Sequence, residues 1–342
     1  MKTKSWPSQI FLLALTLLSL SFSSCGSPQK FENPDYMESQ DKSFFDVLKW
    51  RLTSERANWP DWIKTQYRKV ISPKASDQLK ATFVNHATVL VHMNGSYILT
   101  DPIWSERPSP VSFAGPKRVR NPGIKFHELP KIDAVVISHN HYDHFDIPTL
   151  KKLIDVHNPY ILVGLNSSKV FKRNGINTEK IVELDWEEEF KFMNDKNEEI
   201  TITFLPAQHW SMRGPFDRNQ MLWGAYLLQS NNHKVYFAGD TGYSPHFSKL
   251  QEQYGPVDLA LLPIGAYLPR WFMRIAHLNP DDAVQAHIDL NATNSMAIHF
   301  GTFQLSDEGM YEPHFDLKKA LRERGISKEN FVLPRFGETY FF

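Results

Sequence analysis

Ile137-Ser138-His139-Asn140-His141-Tyr142-Asp143-His144 is the stretch that decides how this chain folds. Residues 132–138, mostly apolar, read as a short buried strand that runs straight into it. In extended chain, side chains two apart point the same way, so His139 and His141 face one side together. Asp143 and His144 follow at once, where the chain turns towards a helix predicted to begin near Asp146-Ile147-Pro148. Four nitrogen and oxygen donors within six residues suit two adjacent cations. A solvated polar loop is the bland alternative, and three other strand ends weigh against it.

His209 follows the strand predicted at 200–205, and His299 follows the one at 295–298. Asp240 follows Val235-Tyr236-Phe237-Ala238 and lies between Gly239 and Gly242. A carboxylate can give one oxygen to each of two cations, so Asp240 is the expected bridge. The glycines beside it permit tight backbone geometry. The donors are imidazole and carboxylate without thiolate, which suits zinc best, with manganese or iron as alternatives.

Strand followed by polar loop recurs along the chain. Residues 82–92 and 97–100 read as strands around Asn94-Gly95, a strong hairpin turn. A helix at 147–156 precedes a strand at 160–164, and 222–228 with 234–238 make a hairpin around Asn231-Asn232. A strand at 258–263, helices at 280–290 and 314–324, and a strand at 330–334 complete the pattern. β-rich halves with interspersed helices imply a layered α/β sandwich with its site along one sheet edge.

The 342 residues carry 38 Lys and Arg against 38 Asp and Glu, so no net charge draws the chain to a polyphosphate backbone. Nucleic acid is therefore not an expected partner. With 42% hydrophobic residues the chain can bury a large core, which excludes wholesale disorder. Its one cysteine, Cys25, can form no internal disulfide.

Cys25 has another use. Lys2 and Lys4 precede an apolar run at 10–20, which as a helix would span roughly 16 Å, too short for a bilayer. Residues 1–24 have the proportions of a secretory signal peptide, and Ser23-Ser24-Cys25 suggests a bacterial lipoprotein site with a relaxed lipobox. The expectation is an exported lipoprotein, anchored on the periplasmic or surface side through lipid on Cys25. Residues 25–43 then read as a tether and 44–81 as a helical segment, with Trp50, Trp59 and Trp62 packing it onto a domain at 82–342.

Further strings stand beside the histidine stretch. They are Asn85-His86-Ala87-Thr88-Val89, Thr100-Asp101-Pro102-Ile103, Gly115-Pro116-Lys117-Arg118 and Phe237-Ala238-Gly239-Asp240-Thr241-Gly242-Tyr243. More specific are Pro263-Ile264-Gly265-Ala266-Tyr267-Leu268-Pro269-Arg270-Trp271-Phe272-Met273 and Ala297-Ile298-His299-Phe300-Gly301-Thr302-Phe303. Together they resemble the metallo-β-lactamase fold, an αββα sandwich with a dinuclear metal site at the sheet edge. More narrowly, over about residues 82–338, they resemble the N-acyl-phosphatidylethanolamine-hydrolysing phospholipase D family.

The resemblance implies that His139, His141 and His209 hold one zinc and Asp143, His144 and His299 the other, with Asp240 bridging. It also implies that Tyr142 and His277 contact the phospholipid phosphate and head group. Phe300 stands where the family has a tryptophan, Ala276 stands in place of a polar amide, and residues 211–219 differ. None of these departures touches a metal ligand.

Two cations would supply a bridging hydroxide and a clamp on the phosphoryl oxygens. Attack on phosphorus would release N-acylethanolamine and leave phosphatidate. Asp143 would orient or deprotonate the water, and a protonated His277 or Tyr142 would donate to the phosphate or leaving oxygen. Arg270 beside Trp271, Phe272 and Met273 sets a cation next to apolar bulk, as a phosphate joined to acyl chains demands. The partners expected are phospholipid and, through the anchor, a membrane, with a homodimer left open.

Residue by residue, plainer readings stand beside these. His277 alone reads as a helix cap or surface histidine, Tyr142 as core filler, and His86 as a buried, hydrogen-bonded histidine. Lys117, Arg118 and Arg120 suit lipid phosphate or a solvated loop. Gly-x-Ser-x-Gly, Walker and dinucleotide motifs are absent, and no histidine stands two before a lysine. Two alternatives remain: a hydrolase of the same fold acting on another small ester, lactone or phosphodiester, and a non-catalytic lipoprotein that binds metal or lipid.

Overall fold

The computed structural model describes residues 30–39, 42–70 and 78–342. Cys25, the segment 1–24 read as a signal peptide, and residues 25–29 lie outside the described residues.

Among the described residues, fourteen strands form two seven-stranded sheets. The first runs β14 (Thr339–Phe341), β1 (Lys80–Asn85), β2 (Thr88–Met93), β3 (Ser96–Thr100), β4 (Ala134–Ile137), β5 (Tyr160–Gly164) and β6 (Ile181–Leu184). The second runs β13 (Phe331–Val332), β12 (Asn294–Ile298), β11 (Leu259–Pro263), β10 (Lys234–Phe237), β9 (Ala225–Gln229), β8 (Glu199–Leu205) and β7 (Glu189–Met193). Helices α2 (Ile147–His157) and α3 (Ser168–Arg173) cover the first sheet; α4 (His246–Tyr254), α6 (Pro280–Asp289) and α7 (Glu312–Glu323) cover the second. Two short helices, α1 (Phe44–Thr53) and α5 (Arg270–Met273), lie near the site.

Period-two alternation explains the layers. Ala134, Val136 and Leu162 pack between the sheets, while their neighbours Val135, Ile137, Ile161 and Val163 pack against α2 and α3. Strands buried on both faces read as continuous apolar runs, as β4, β5 and β11 do. Each large aliphatic side chain so buried contributes roughly 1.5–3 kcal/mol by leaving water.

Strand direction then gathers the functional residues. β3, β4 and β5 are mutually parallel, and so are β10, β11 and β12, with β8 aligned to β10 through the antiparallel β9. The loops after β4, β8, β10 and β12, which carry the seven expected metal ligands, leave their sheets at one edge. The β1–β2 turn reaches the same edge, because β2 starts where β3 ends.

Several boundaries differ from the sequence reading. Residues 82–92 are two strands, split at His86, whose φ of 47° lies in the left-handed region. No glycine or proline marks that turn. α4 is a helix that buries only His246, Phe247 and Leu250, too few to mark its period in sequence. Among the described residues of 44–81 only α1 is helical, and Lys80 and Ala81 already belong to β1. The described stretch from Ser54 to Val70 runs without helix or strand along the core, with Ile63 N–H donating to the Val119 carbonyl at 2.7 Å. Trp50 stacks on Phe272 and Trp59 donates to the Glu308 carbonyl, whereas Trp62 stays half-exposed.

Residues 30–39, expected to be part of a free tether, also lie against the core. Phe31 N–H donates to the Asn219 carbonyl at 2.8 Å, Met37 is buried, and Glu38 pairs with Arg274 at 2.9 and 3.0 Å. Polar composition concealed this docking, because Phe31 and Met37 are its few apolar anchors among backbone and ion-pair contacts.

Candidate metal centre

His139, His141 and His209 converge as the first donor group, with ligand atoms within 4.8 Å of one another. His141 Nδ1 lies 2.8 Å from His139 Nε2 and 3.3 Å from His209 Nε2. Three imidazole nitrogens that close need a shared proton or a cation. Around a tetrahedral zinc with Zn–N of about 2.0–2.1 Å, neighbouring nitrogens sit roughly 3.3 Å apart, so the residues fit the ion. Burial, followed by the charge of neighbouring histidines, holds His139 and His209 well below the usual imidazole range. Burial likewise pushes His141 down to about 4, so all three offer lone pairs at neutral pH.

The second group is built around two carboxylates. Asp143 Oδ2 lies 3.2 Å from His144 Nε2 and 3.5 Å from His299 Nε2. Asp240 turns Oδ2 towards His144 and Oδ1 towards His299, each at 3.2 Å. His144 Nε2, His299 Nε2 and Asp240 Oδ1 are buried without completing a hydrogen bond, which fits a cation among them. Burial opposes charge on His299, but the negative charges of Asp240 and Asp143 beside it outweigh it and push the imidazole up to about 9. Burial would also raise both carboxyls, yet His144 chiefly holds Asp143 and Asp240 well below the usual range. In the protein alone, protons on these imidazoles balance charge that a divalent cation would balance instead.

The second ring nitrogens are held in turn. His144 Nδ1 donates to Asp101 at 2.6 Å, and His209 Nδ1 donates to the Ala276 carbonyl at 3.1 Å. Ser138 Oγ sits 2.9 Å from His139 Nδ1 and 2.6 Å from Asp101. The supporting roles of Asp101 and Ser138 were not read from the sequence, although Thr100-Asp101-Pro102 was noted as a string. Gly239 and Gly242 are required beside Asp240: a Cβ would meet Ser138 Cβ at 2.4 Å on one and the Ile275 carbonyl at 2.1 Å on the other.

The substrate residues come out less evenly. His277 reaches the site, with Nδ1 3.7 Å from Asp240 and its ring 5.4 Å from that of His209. Burial pushes it down to about 3, so it faces the site neutral, not as the expected imidazolium. Tyr142 borders the site, but its hydroxyl donates to the Arg213 carbonyl at 2.9 Å and its ring lies 3.9 Å under the Arg213 guanidinium. Both line a cavity of about 650 Å³ with Arg107 and Lys151. Sequence reading overlooked Arg213, which sits in the divergent 211–219 loop.

Arg270 does not stand free. It pairs with Asp282 at 2.6 Å and donates to the His277 carbonyl at 2.9 Å, so it holds His277 in place. Phe272 and Met273 are buried, with Trp271 half-exposed beside them. Arg118 is buried on the Ser105 and Ile103 carbonyls, Lys117 pairs with Glu106, and Arg120 lies over Phe336. These cations serve the loop structure. A second cavity, about 540 Å³, is bordered by residues 30–39 together with His209, Arg218 and Trp223.

Comparison with known proteins agrees with this geometry. Residues 96–300 match the model of the beta-lactamase superfamily domain. The chain is 43% identical over 270 residues to N-acyl-phosphatidylethanolamine-hydrolyzing phospholipase D 1 of Caenorhabditis elegans, covering 77% of this chain and 75% of that one. It is 36% identical to the mitochondrial enzyme of the same name in Saccharomyces cerevisiae, across 73% of this chain but only 53% of the yeast protein. A metallo hydrolase from the archaeon Ignicoccus hospitalis shares the fold at a TM-score of 0.57 and 20% identity, over 78% of this chain and 98% of that one. The chain belongs to the metallo-β-lactamase superfamily and, within it, to the N-acyl-phosphatidylethanolamine-hydrolysing phospholipase D family of metal-dependent hydrolases.

Proposed function

We propose that the protein is a zinc-dependent phosphodiester hydrolase of phospholipase D type. Its substrate would be an N-acyl-phosphatidylethanolamine-like phospholipid, cut to N-acylethanolamine and phosphatidate. The observation that carries this reading is the pair of adjoining donor groups, buried except for the partly exposed His141 and Asp143, in a chain of this family. His139, His141 and His209 would hold one zinc and Asp143, His144 and His299 the other, and the ions would supply a nucleophile at neutral pH and neutralise charge on the phosphoryl oxygens.

This chain's own residues do the remaining work. Asp143 is the more open of the two site carboxylates and is the one suited to orient or accept a proton at the open face. Asp240 lies deeper and is the expected bridge. Its oxygens are aimed at the second group, and its charge also acts on His139, His141 and His209. His277, neutral and 15% exposed, offers a ring hydrogen-bond donor beside Asp240 to a phosphate or leaving oxygen. Tyr142 walls the neighbouring cavity, and Arg270 positions His277 from behind.

Exposed apolar side chains on the surrounding segments support a lipid substrate. Leu52 on α1, Phe113 and Phe216 stand in solvent, and Leu48 on α1 and Trp271 on α5 are half-exposed. α1 packs onto α5 through the Trp50–Phe272 stack, with Lys49 4.7 Å over Trp271. Such a face suits a bilayer surface. Lipid on Cys25 and export to the periplasmic or surface side belong to the same proposal and rest on the sequence.

The test is a substrate panel. Purified protein is given phospholipids, a lactam, a lactone and bis-p-nitrophenyl phosphate, and products are identified by mass. Phosphatidate from the lipid supports the reading; efficient lactam or lactone hydrolysis without phosphatidate contradicts it.

A further inference from the structure

His86 occupies the tight turn between β1 and β2 in the left-handed conformation that favours glycine. Its side chain is 2% exposed, and its ring lies 4.1 Å from that of His299. Nε2 is 3.0 Å from Asp143 Oδ2, the same oxygen that faces His144 and His299. The His86 carbonyl also accepts the His299 backbone N–H at 2.8 Å, and the His86 N–H donates to Thr302 Oγ1 at 3.1 Å. One residue therefore grips two members of the second donor group, one by its ring and one by its backbone.

A carboxylate brings no proton to such a bond, so the hydrogen between Asp143 and His86 sits on His86 Nε2. That tautomer leaves Nδ1 without a proton, buried and with no hydrogen-bond partner among the described residues. Nδ1 is on the far side of the ring from Asp143, so the ring is spent on the carboxylate. His139, His144 and His209 are each steadied through their second ring nitrogen by Ser138, Asp101 and the Ala276 carbonyl. Asp143 sits on a turn just after β4 and has no such second nitrogen.

We propose that His86 is a positioning residue for the second cation site. It donates Nε2–H to Asp143 so that Oδ2 keeps a lone pair aimed between His144 and His299, and its carbonyl fixes the turn that carries His299. The inference rests on the two-cation reading of the centre and not on which substrate is cleaved.

Two substitutions separate the roles of ring and turn. His86→Asn tolerates the left-handed backbone, but its amide is too short to reach Asp143. His86→Gln places an amide N–H about where Nε2–H stands. Purified full-length variants are loaded with zinc, dialysed against chelators of graded strength, and their zinc per chain is counted. The Asn variant should bind the second zinc about 10–100-fold more weakly with the first unchanged, and the Gln variant should hold both.

Saturating Co²⁺ supplies a second readout. The Asn variant should regain the wild-type visible absorption, because no ligand has been removed. Wild-type zinc affinity in the Asn variant would overturn the proposal. So would a Co²⁺ spectrum that stays altered at saturation, since His86 would then be a ligand itself. Loss of the second zinc in the Gln variant as complete as in the Asn variant would overturn it too. None of these readouts uses a lipid, so they stand whether or not phosphatidate is formed.

Discussion

Asp240 holds its two oxygens 3.2 Å from His144 and His299, while Gly239 and Gly242 keep its turn close to Ser138 and Ile275. Asp240→Asn keeps the shape and removes the charge. The variant should lose at least one zinc and on the order of 100-fold in activity, comparable to losing a group that stabilises transition-state charge. Metal counting and turnover check both halves. Protonation follows from the same geometry. In metal-free protein, His299 is raised from 6.5 to about 9, so its stabilising contribution is full below pH 6.5 and is lost as pH rises through 9. His246 and His277 are lowered by burial to about 3, so their contribution is present above 6.5 and lost as pH falls towards 3. The urea midpoint of metal-free protein should therefore peak near neutrality, and zinc should flatten the alkaline side by replacing the His299 proton. An alkaline fall that persists in zinc-loaded protein would contradict this.

At this scale, the convergence of the candidate ligand histidines was legible because four donors in six residues have few other uses. Asp101 and Ser138 were not, because a single Asp or Ser at a strand end carries no spacing signal. Arg270 misled for a related reason. Composition puts it beside apolar bulk, but only the fold reveals that Asp282 and the His277 carbonyl already engage it.

Between elements, α1 is the piece whose position matters most. Ser43 caps it by accepting from Asp46 N–H at 3.2 Å, and Asp46 accepts the Ser43 N–H in return. Trp50 then stacks on Phe272 with centroids 4.8 Å apart, which seats α5 and, through Arg270, His277. A stacked pair is worth about 0.5–1.5 kcal/mol beyond its buried area. Trp50→Ala should lower turnover about fivefold to tenfold, an equivalent of roughly 1–1.4 kcal/mol, with both zinc ions retained. Loss of zinc instead would place Trp50 in the support of the metal centre. Strands such as β5, with its uninterrupted Tyr160–Gly164 run, were readable to the residue. The β1–β2 split was hidden because Asn85-His86-Ala87 carries no glycine or proline, and the polar α4 because it shows too little apolar period.

For the molecule as a whole, the sandwich followed from the order of strands and helices, since parallel strands buried on both faces permit few other layers. The docking of residues 30–39 did not, because two apolar anchors, Phe31 and Met37, among ion pairs and backbone bonds leave no hydrophobic pattern. The exposed apolar side chains on α1 and α5 bear on the membrane. Leu48→Ser together with Leu52→Ser should weaken binding to anionic vesicles roughly tenfold or more, given about 1.5–3 kcal/mol for each leucine fully buried. Vesicle sedimentation measures this, and unchanged binding would remove α1 from the contact. Separately, Cys25→Ser should release the protein from the membrane fraction of its own cells. A variant that stays bound through high-salt and alkaline washes would show that lipid on Cys25 is not the anchor.

Water attack on phosphorus at the two-zinc edge is the central claim, and oxygen tracing reads it directly. Zinc-loaded protein is incubated with N-acyl-phosphatidylethanolamine in H₂¹⁸O and the products are weighed by mass spectrometry. One ¹⁸O in phosphatidate and none in N-acylethanolamine is the expected result. Label in a released fatty acid, or no phosphatidate from fully zinc-loaded protein, would contradict it.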